Sequence, residues 1–182
     1  MRKIVAGLFV SLDGVVEAPD RWHFPYFNAE MGQAVQSQME AADTMLLGRR
    51  TYEEFAAFWP EQGSEVELAD YMNNTPKLVA SRTLPAVEWK NATLIKGDLA
   101  QELGRLKQQP GKNISITGSP TLVRSLLRDH LLDELRLLVH PIVVGSGKRL
   151  FEDGSGQVPL KLLDAQTFST GVVYLTYGPA DA

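Results

Sequence analysis

Residues Ile114–Leu127 read ISITGSPTLVRSLL. Ile114–Thr117 alternates β-branched and polar residues, as a short strand does. Gly118 then frees the backbone to turn, Ser119 is a helix-capping residue, and Pro120 sits in the first turn, where a missing N–H costs nothing. Leu122, Val123, Leu126 and Leu127 fall on one face of the helix that follows. A strand that runs through a glycine turn into an amphipathic helix is the repeating unit of an α/β sheet.

The same unit recurs upstream. Ile4–Leu12 is almost continuously apolar and β-branched, as a strand covered on both faces would be. Asn28 can cap a helix with Met31, Val35 and Met39 on its core face. Thr44–Gly48 is a short strand that leads into Thr51–Tyr52–Glu53–Glu54, whose Thr and Glu have capping-box spacing. Lys77–Ser81 is a further strand, after a polar stretch around Gly63–Asn74. Asp98 opens a helix with Leu99, Leu103 and Leu106 on one face. Downstream the order changes. Glu134–Val144 is the longest strand, and Leu160–Phe168 with Val172–Tyr177 forms a hairpin that turns at Thr170–Gly171. Strands alternate with helices to about residue 128 and then follow one another. The expected fold is α/β, a mostly parallel sheet with an antiparallel hairpin at the C-terminal end.

The chain has 182 residues, within the range of one domain spanning 1–182. Cysteine is absent, which excludes disulfides, thiolate metal sites and Cys nucleophiles. A net charge of −4 offers no general attraction for nucleic acid or anionic membrane. The apolar run after Met1–Arg2–Lys3 ends within about eight residues, too soon for a secretory signal, and no stretch approaches the roughly 18 apolar residues of a membrane span. The expected location is the cytoplasm.

Three strand ends carry the residues an anionic ligand needs. Gly48–Arg49–Arg50–Thr51 places two guanidiniums at a helix N-terminus, where free N–H groups and the helix dipole favour negative charge. Ser81–Arg82–Thr83 adds an Arg and two hydroxyls at the end of another strand. Thr117–Gly118–Ser119–Pro120–Thr121 forms a third turn into a helix. Each by itself also reads as an ordinary cap or turn. Together they describe one anionic ligand lying across strand C-termini, the usual crevice of open α/β sheets. Gly145–Ser146–Gly147–Lys148 is not a Walker loop, because Arg149 stands where a magnesium-binding hydroxyl belongs. His23, His130 and His140 lack metal-ligand spacing. Trp22, Tyr26, Phe27 and Tyr52 are candidates for the wall of an aromatic slot. Asp13 and Glu17 are candidates to orient a substrate or relay a proton.

The ordered set Ser11–Leu12–Asp13–Gly14, Gly48–Arg49–Arg50–Thr51–Tyr52–Glu53, Val79–Ala80–Ser81–Arg82–Thr83, Ile116–Thr117–Gly118–Ser119, Asp133–Glu134–Leu135 and Pro141–Gly147 spans nearly the whole chain. It resembles the dihydrofolate reductase superfamily, and in particular the reductase domain of the riboflavin-biosynthesis deaminase/reductase. The resemblance implies a three-layer α/β/α sandwich, NADPH as cofactor and a homodimer. It matches Gly48, Arg49 and Thr51 to the helix start that holds cofactor phosphate, and Ser81 and Arg82 to the turn that holds the adenosine phosphate distinguishing NADPH from NADH. It matches Thr117, Gly118, Ser119 and Thr121 to the turn under the pyrophosphate, and Ala6 and Gly7 to strand positions near the nicotinamide. The acidic residue that folate reductases carry early in the helix after Trp22–Pro25 has no counterpart, since Tyr26, Phe27 and Asn28 follow. The Ala-Asp-Asp-Pro segment of the riboflavin-pathway reductase is likewise replaced by Arg49–Arg50–Thr51–Tyr52.

The function expected is therefore NADPH-dependent reduction of a flat nitrogen heterocycle or its ribosylamino derivative, like that of phosphoribosylaminouracil or pteridine reductases. The alternatives are a nucleotide-binding protein of the same fold without turnover, and a structural homodimer that pairs through the C-terminal hairpin or the Glu134–Val144 strand.

Overall fold

The computed structural model describes residues 1–180. Among the described residues, eight strands form one sheet: β1 (Ile4–Ser11), β2 (Ala42–Gly48), β3 (Lys77–Ala80), β4 (Ala92–Ile95), β5 (Asn113–Ile116), β6 (Glu134–His140), β7 (Leu160–Thr167) and β8 (Val173–Pro179). Five α-helices accompany them: α1 (Ala29–Glu40), α2 (Arg49–Phe58), α3 (Ala69–Asn74), α4 (Leu99–Lys107) and α5 (Pro120–Arg128). The strand order is β4-β3-β2-β5-β1-β6-β8-β7. Strands β1 to β6 run parallel, β8 is added antiparallel beside β6, and β7 is added antiparallel beside β8.

β1 lies at the centre, paired with β5 and β6, which explains its unbroken apolar run. On one face Ala6, Leu8, Leu46, Ile114 and Ile116 pack against Leu103 and Leu106 of α4 and against Leu122, Val123, Leu126 and Leu127 of α5. On the other face, Met31 of α1 packs with Leu138, Phe168, Val172 and Tyr174. Met45, Leu47 and Val79 meet Tyr52 of α2 and Met72 of α3 there as well. The result is the expected sheet with helices on both faces.

Several boundaries differ from expectation. α2 starts at Arg49 with Gly48 as N-cap and no side-chain cap, so Thr51 lies inside the helix and makes no capping box. β6 stops at His140, because Pro141 cannot donate to a ladder; residues 142–150 leave the sheet instead of extending to Val144. α3 and β4 fall where the sequence shows no clear period. β4 is four residues long at the sheet edge, and its identity comes from pairing with β3.

Candidate functional site

The C-terminal ends of β2, β3 and β5 open into a cleft of about 1730 Å³ on the α4–α5 side of the sheet. Register explains why these ends meet: Gly48 stands beside Ala80, Ala80 beside Ile95, and Met45 beside Ser115. The turns that follow β2, β3 and β5 must therefore lie side by side.

Two helices begin at this edge. Ser119 caps α5 by accepting from Leu122 N, whereas α2 begins after Gly48 with its first amides uncapped. The two N-termini are locked together, since Gly48 N donates to Gly118 O at 3.2 Å. A Cβ on Gly48 would stand 2.4 Å from Ser119 Oγ, and one on Gly118 would stand 2.5 Å from Thr51 Oγ1. Glycine at both positions lets the two positive helix ends converge.

Arg49, Arg50 and Arg82 line the cleft and are exposed. Among the described residues, no carboxylate lies within ion-pair distance of any of the three. In the turn after β3, Ser81 Oγ accepts from Thr83 N and Leu84 N, which fixes the stem from which Arg82 projects. Two uncapped or lightly capped helix ends and three unpaired guanidiniums make a cradle that fits a ligand with more than one phosphate.

Of the expected site residues, the structure brings Glu17, Trp22, Gly48, Arg49, Thr51, Ser81, Arg82, Thr117, Gly118, Ser119 and Thr121 to this one cleft. The others lie elsewhere. Ala6 is fully enclosed in the core. Gly7 faces α1, where the Gln38 side chain would meet its Cβ at 2.2 Å. Leu8, one position on, reaches the cleft in their place. Tyr52 is buried on the opposite face, and its hydroxyl accepts from Glu88 N and Trp89 N at 2.9 and 3.3 Å. Tyr26 also belongs to the α1 face, with its ring edge-on to His140, and exposed Phe27 meets His23 edge-on. These three rings do not line the cleft.

Asp13 is close to the cleft but has no free oxygen. Oδ1 accepts from Ser11 Oγ at 2.5 Å and Val144 N at 3.0 Å, and Oδ2 accepts from Gly145 N at 2.9 Å. These bonds, Ser11 first, bring its pKa down to about 2. Asp13 is thus ionised at neutral pH and has no proton to give. Glu17 Oε2 accepts from Lys148 N at 3.2 Å.

The segment those carboxylates hold, absent from the expected site residues, also belongs to the site: Val144, Ser146, Gly147 and Lys148 form a wall of the cleft. A carboxylate also stands in the first turn of α1. Glu30 accepts from Ser169 N and Ser169 Oγ at 2.9 and 2.7 Å and lies outside the cleft, tied to the β7–β8 turn. Behind Trp22, buried His23 and His140 sit with their rings 6.1 Å apart, against Phe9 and Tyr26. Burial holds both below the usual histidine pKa. His140 Nδ1 lies 2.8 Å from Leu138 O, while among the described residues buried His140 Nε2 and His23 Nδ1 have no hydrogen-bond partner. No spacing rule could have paired them, because β6 and the turn before α1 meet only in the folded chain.

Sheet order and cleft together define an α/β fold with an open crevice at the strand C-termini. Residues 2–174 match the model of the RibD C-terminal domain, and the chain belongs to that family. It is 32% identical over 180 residues to YyaP, an uncharacterised protein of Bacillus subtilis strain 168, covering 97% of this chain and 94% of that one. Among solved structures it resembles a putative riboflavin biosynthesis protein from Shewanella sp. PV-4, with TM-score 0.77, 22% identity and both chains fully covered. It also resembles the dihydrofolate reductase of Enterococcus faecalis complexed with NADP(H), with TM-score 0.66, 15% identity, and 98% and 97% coverage. These matches show membership of the RibD C-terminal domain family and a dihydrofolate reductase-like fold.

Proposed function

We propose that the protein is an NADPH-dependent reductase of a flat nitrogen heterocycle or its ribosylamino derivative. The observation that carries this reading is the convergence of the α2 and α5 N-termini with unpaired Arg49, Arg50 and Arg82 in one cleft. Arg82, on the turn after β3, would hold the adenosine phosphate. Arg49, Thr51 and the Thr117–Thr121 turn would hold the pyrophosphate through side chains and free amides. When bound, the cofactor supplies a hydride; the protein supplies position and electrostatics. Leu8 and Trp22 give the cleft apolar surface on which a planar ring can lie. The family match and the NADP(H) complex of the Enterococcus enzyme support the cofactor.

A second reading, a nucleotide-binding protein without turnover, is favoured by one feature. The single carboxylate in the first turn of α1, Glu30, is committed to Ser169 and lies outside the cleft. An NADPH fluorescence titration, with NADH in parallel, tests the cofactor. Micromolar, NADPH-selective binding is expected, and no binding of either nucleotide removes both readings. NADPH oxidation with dihydrofolate and with pyrimidine ribosylamines then separates them, since only the reductase consumes cofactor.

A further inference from the structure

Past His140 the chain leaves the sheet and crosses back to the turn that follows β1. Leu12 N donates to Ile142 O, Val16 N to Lys148 O, and Leu150 N to Gly14 O, at 2.8 to 2.9 Å. These backbone bonds fasten the two ends of the returning segment. Its middle is held by side chains. Val144 N and Gly145 N donate to the two oxygens of Asp13, and among the described residues they have no other acceptor. Lys148 N donates to Glu17, and Arg149 Nε donates to Asp13 O at 3.0 Å. The fit is close: Gly147 has φ 117°, and a Cβ there would stand 3.0 Å from Val15 Cγ1 and 3.2 Å from Glu17 Oε2.

We infer that Asp13 and Glu17 are positioning residues, which hold Val144–Lys148 as a strap along the cleft and act on a bound ligand through that strap, not by transferring a proton. The ligand in this inference rests on the reductase reading; the strap itself does not. An ionised carboxylate that accepts three hydrogen bonds is suited to fixing amides and unsuited to giving up a proton at neutral pH. The strap carries no regular ladder between its fastened ends, so its shape depends on these two side chains.

Asp13→Ala, Asp13→Asn and Glu17→Gln test the inference by amide hydrogen exchange. In Asp13→Ala, Val144 and Gly145 should exchange at least about tenfold faster, the effect of losing one hydrogen bond to a charged group each. Amides of β1 and β6 should keep their protection. Asp13→Asn, which keeps one acceptor oxygen, should fall between, and Glu17→Gln should loosen Lys148 alone. Should Asp13→Ala fail to fold, the two conservative variants carry the comparison. With a substrate that the wild type reduces, Asp13→Asn should raise KM and keep the shape of the kcat–pH profile. Unchanged exchange at Val144 and Gly145, or a profile that loses a limb, overturns the inference. If the wild type binds no NADPH, the reductase reading falls, while the exchange measurements still decide whether Asp13 holds the strap.

Discussion

A Cβ added to Gly118 would lie 2.5 Å from Thr51 Oγ1, so the turn after β5 and the first turn of α2 are in contact through a missing side chain. Gly48 has the reciprocal relationship with Ser119. The two positive helix ends are thus brought together by glycine on both sides, and the phosphate cradle depends on that approach. Gly118→Ala should displace Thr51 and part the two turns, at a cost of about 1–3 kcal/mol, as for other overpacked sites. Urea unfolding measures this cost. NADPH affinity should fall as well, and an unchanged dissociation constant would separate the cradle from cofactor binding.

Arg82 projects from a turn fixed by Ser81, and among the described residues no carboxylate competes for it. Arg82→Ala should weaken NADPH by roughly tenfold or more, since a hydrogen bond to a charged group is worth about 1.5–3 kcal/mol. NADH, which lacks the extra phosphate, should be unaffected. Paired titrations of the two nucleotides at fixed salt check this, because exposed charges are screened.

Lys77 is 1% exposed, and its Nζ donates to the carbonyls of Thr75, Lys90 and Asn73 while lying 4.2 Å from the centre of the Trp89 ring. Lys77→Met leaves those carbonyls without their donor and should destabilise the fold by about 1–3 kcal/mol at pH 7. Burial, with a smaller contribution from Lys90, pushes the Lys77 pKa down to about 8 from an ordinary 10.5. Between those values the unfolded chain binds more protons than the folded one, so this group makes stability rise with pH. The stability gap between wild type and Lys77→Met should widen from pH 8 to pH 10. Urea midpoints across that range provide the comparison.

His23 and His140 give the same sign at lower pH. Burial is the first cause of depression in both, and His140 adds to it at His23, against the opposing charge of Asp20. The folded state resists protonation, so the unfolded chain takes up more protons as pH falls below 6.5. Stability from this pair is complete above that pH and is lost as acid is added. The drop in unfolding free energy between pH 7.5 and pH 5.5 should be smaller in His140→Phe. An equal drop in both proteins would place the acid sensitivity elsewhere.

Much of this protein is written locally. The caps at Asn28, Asp98 and Ser119, the apolar faces of α4 and α5 and the hairpin turn at Gly171 follow from neighbours along the chain, because helices and turns close their hydrogen bonds within a few residues. The family resemblance, carried by an ordered set of short motifs, agrees with the family match. That three turns meet at one cleft is legible as well, since parallel strands of an α/β sheet end on the same edge. What the chain alone could not decide is which way the remaining candidates face. Gly7 and Leu8 are adjacent yet lie on opposite faces of β1, and the period of two assigns one to Gln38 and the other to the cleft. Asp13 has the residue type of a catalytic acid, but Val144 and Gly145, more than 130 positions away, take both its oxygens. Tyr52 likewise gives its hydroxyl to Glu88 and Trp89. Hydrogen-bond partners far apart in sequence are chosen by packing, and only the tertiary structure shows which polar groups are spent on the fold and which are left for a ligand.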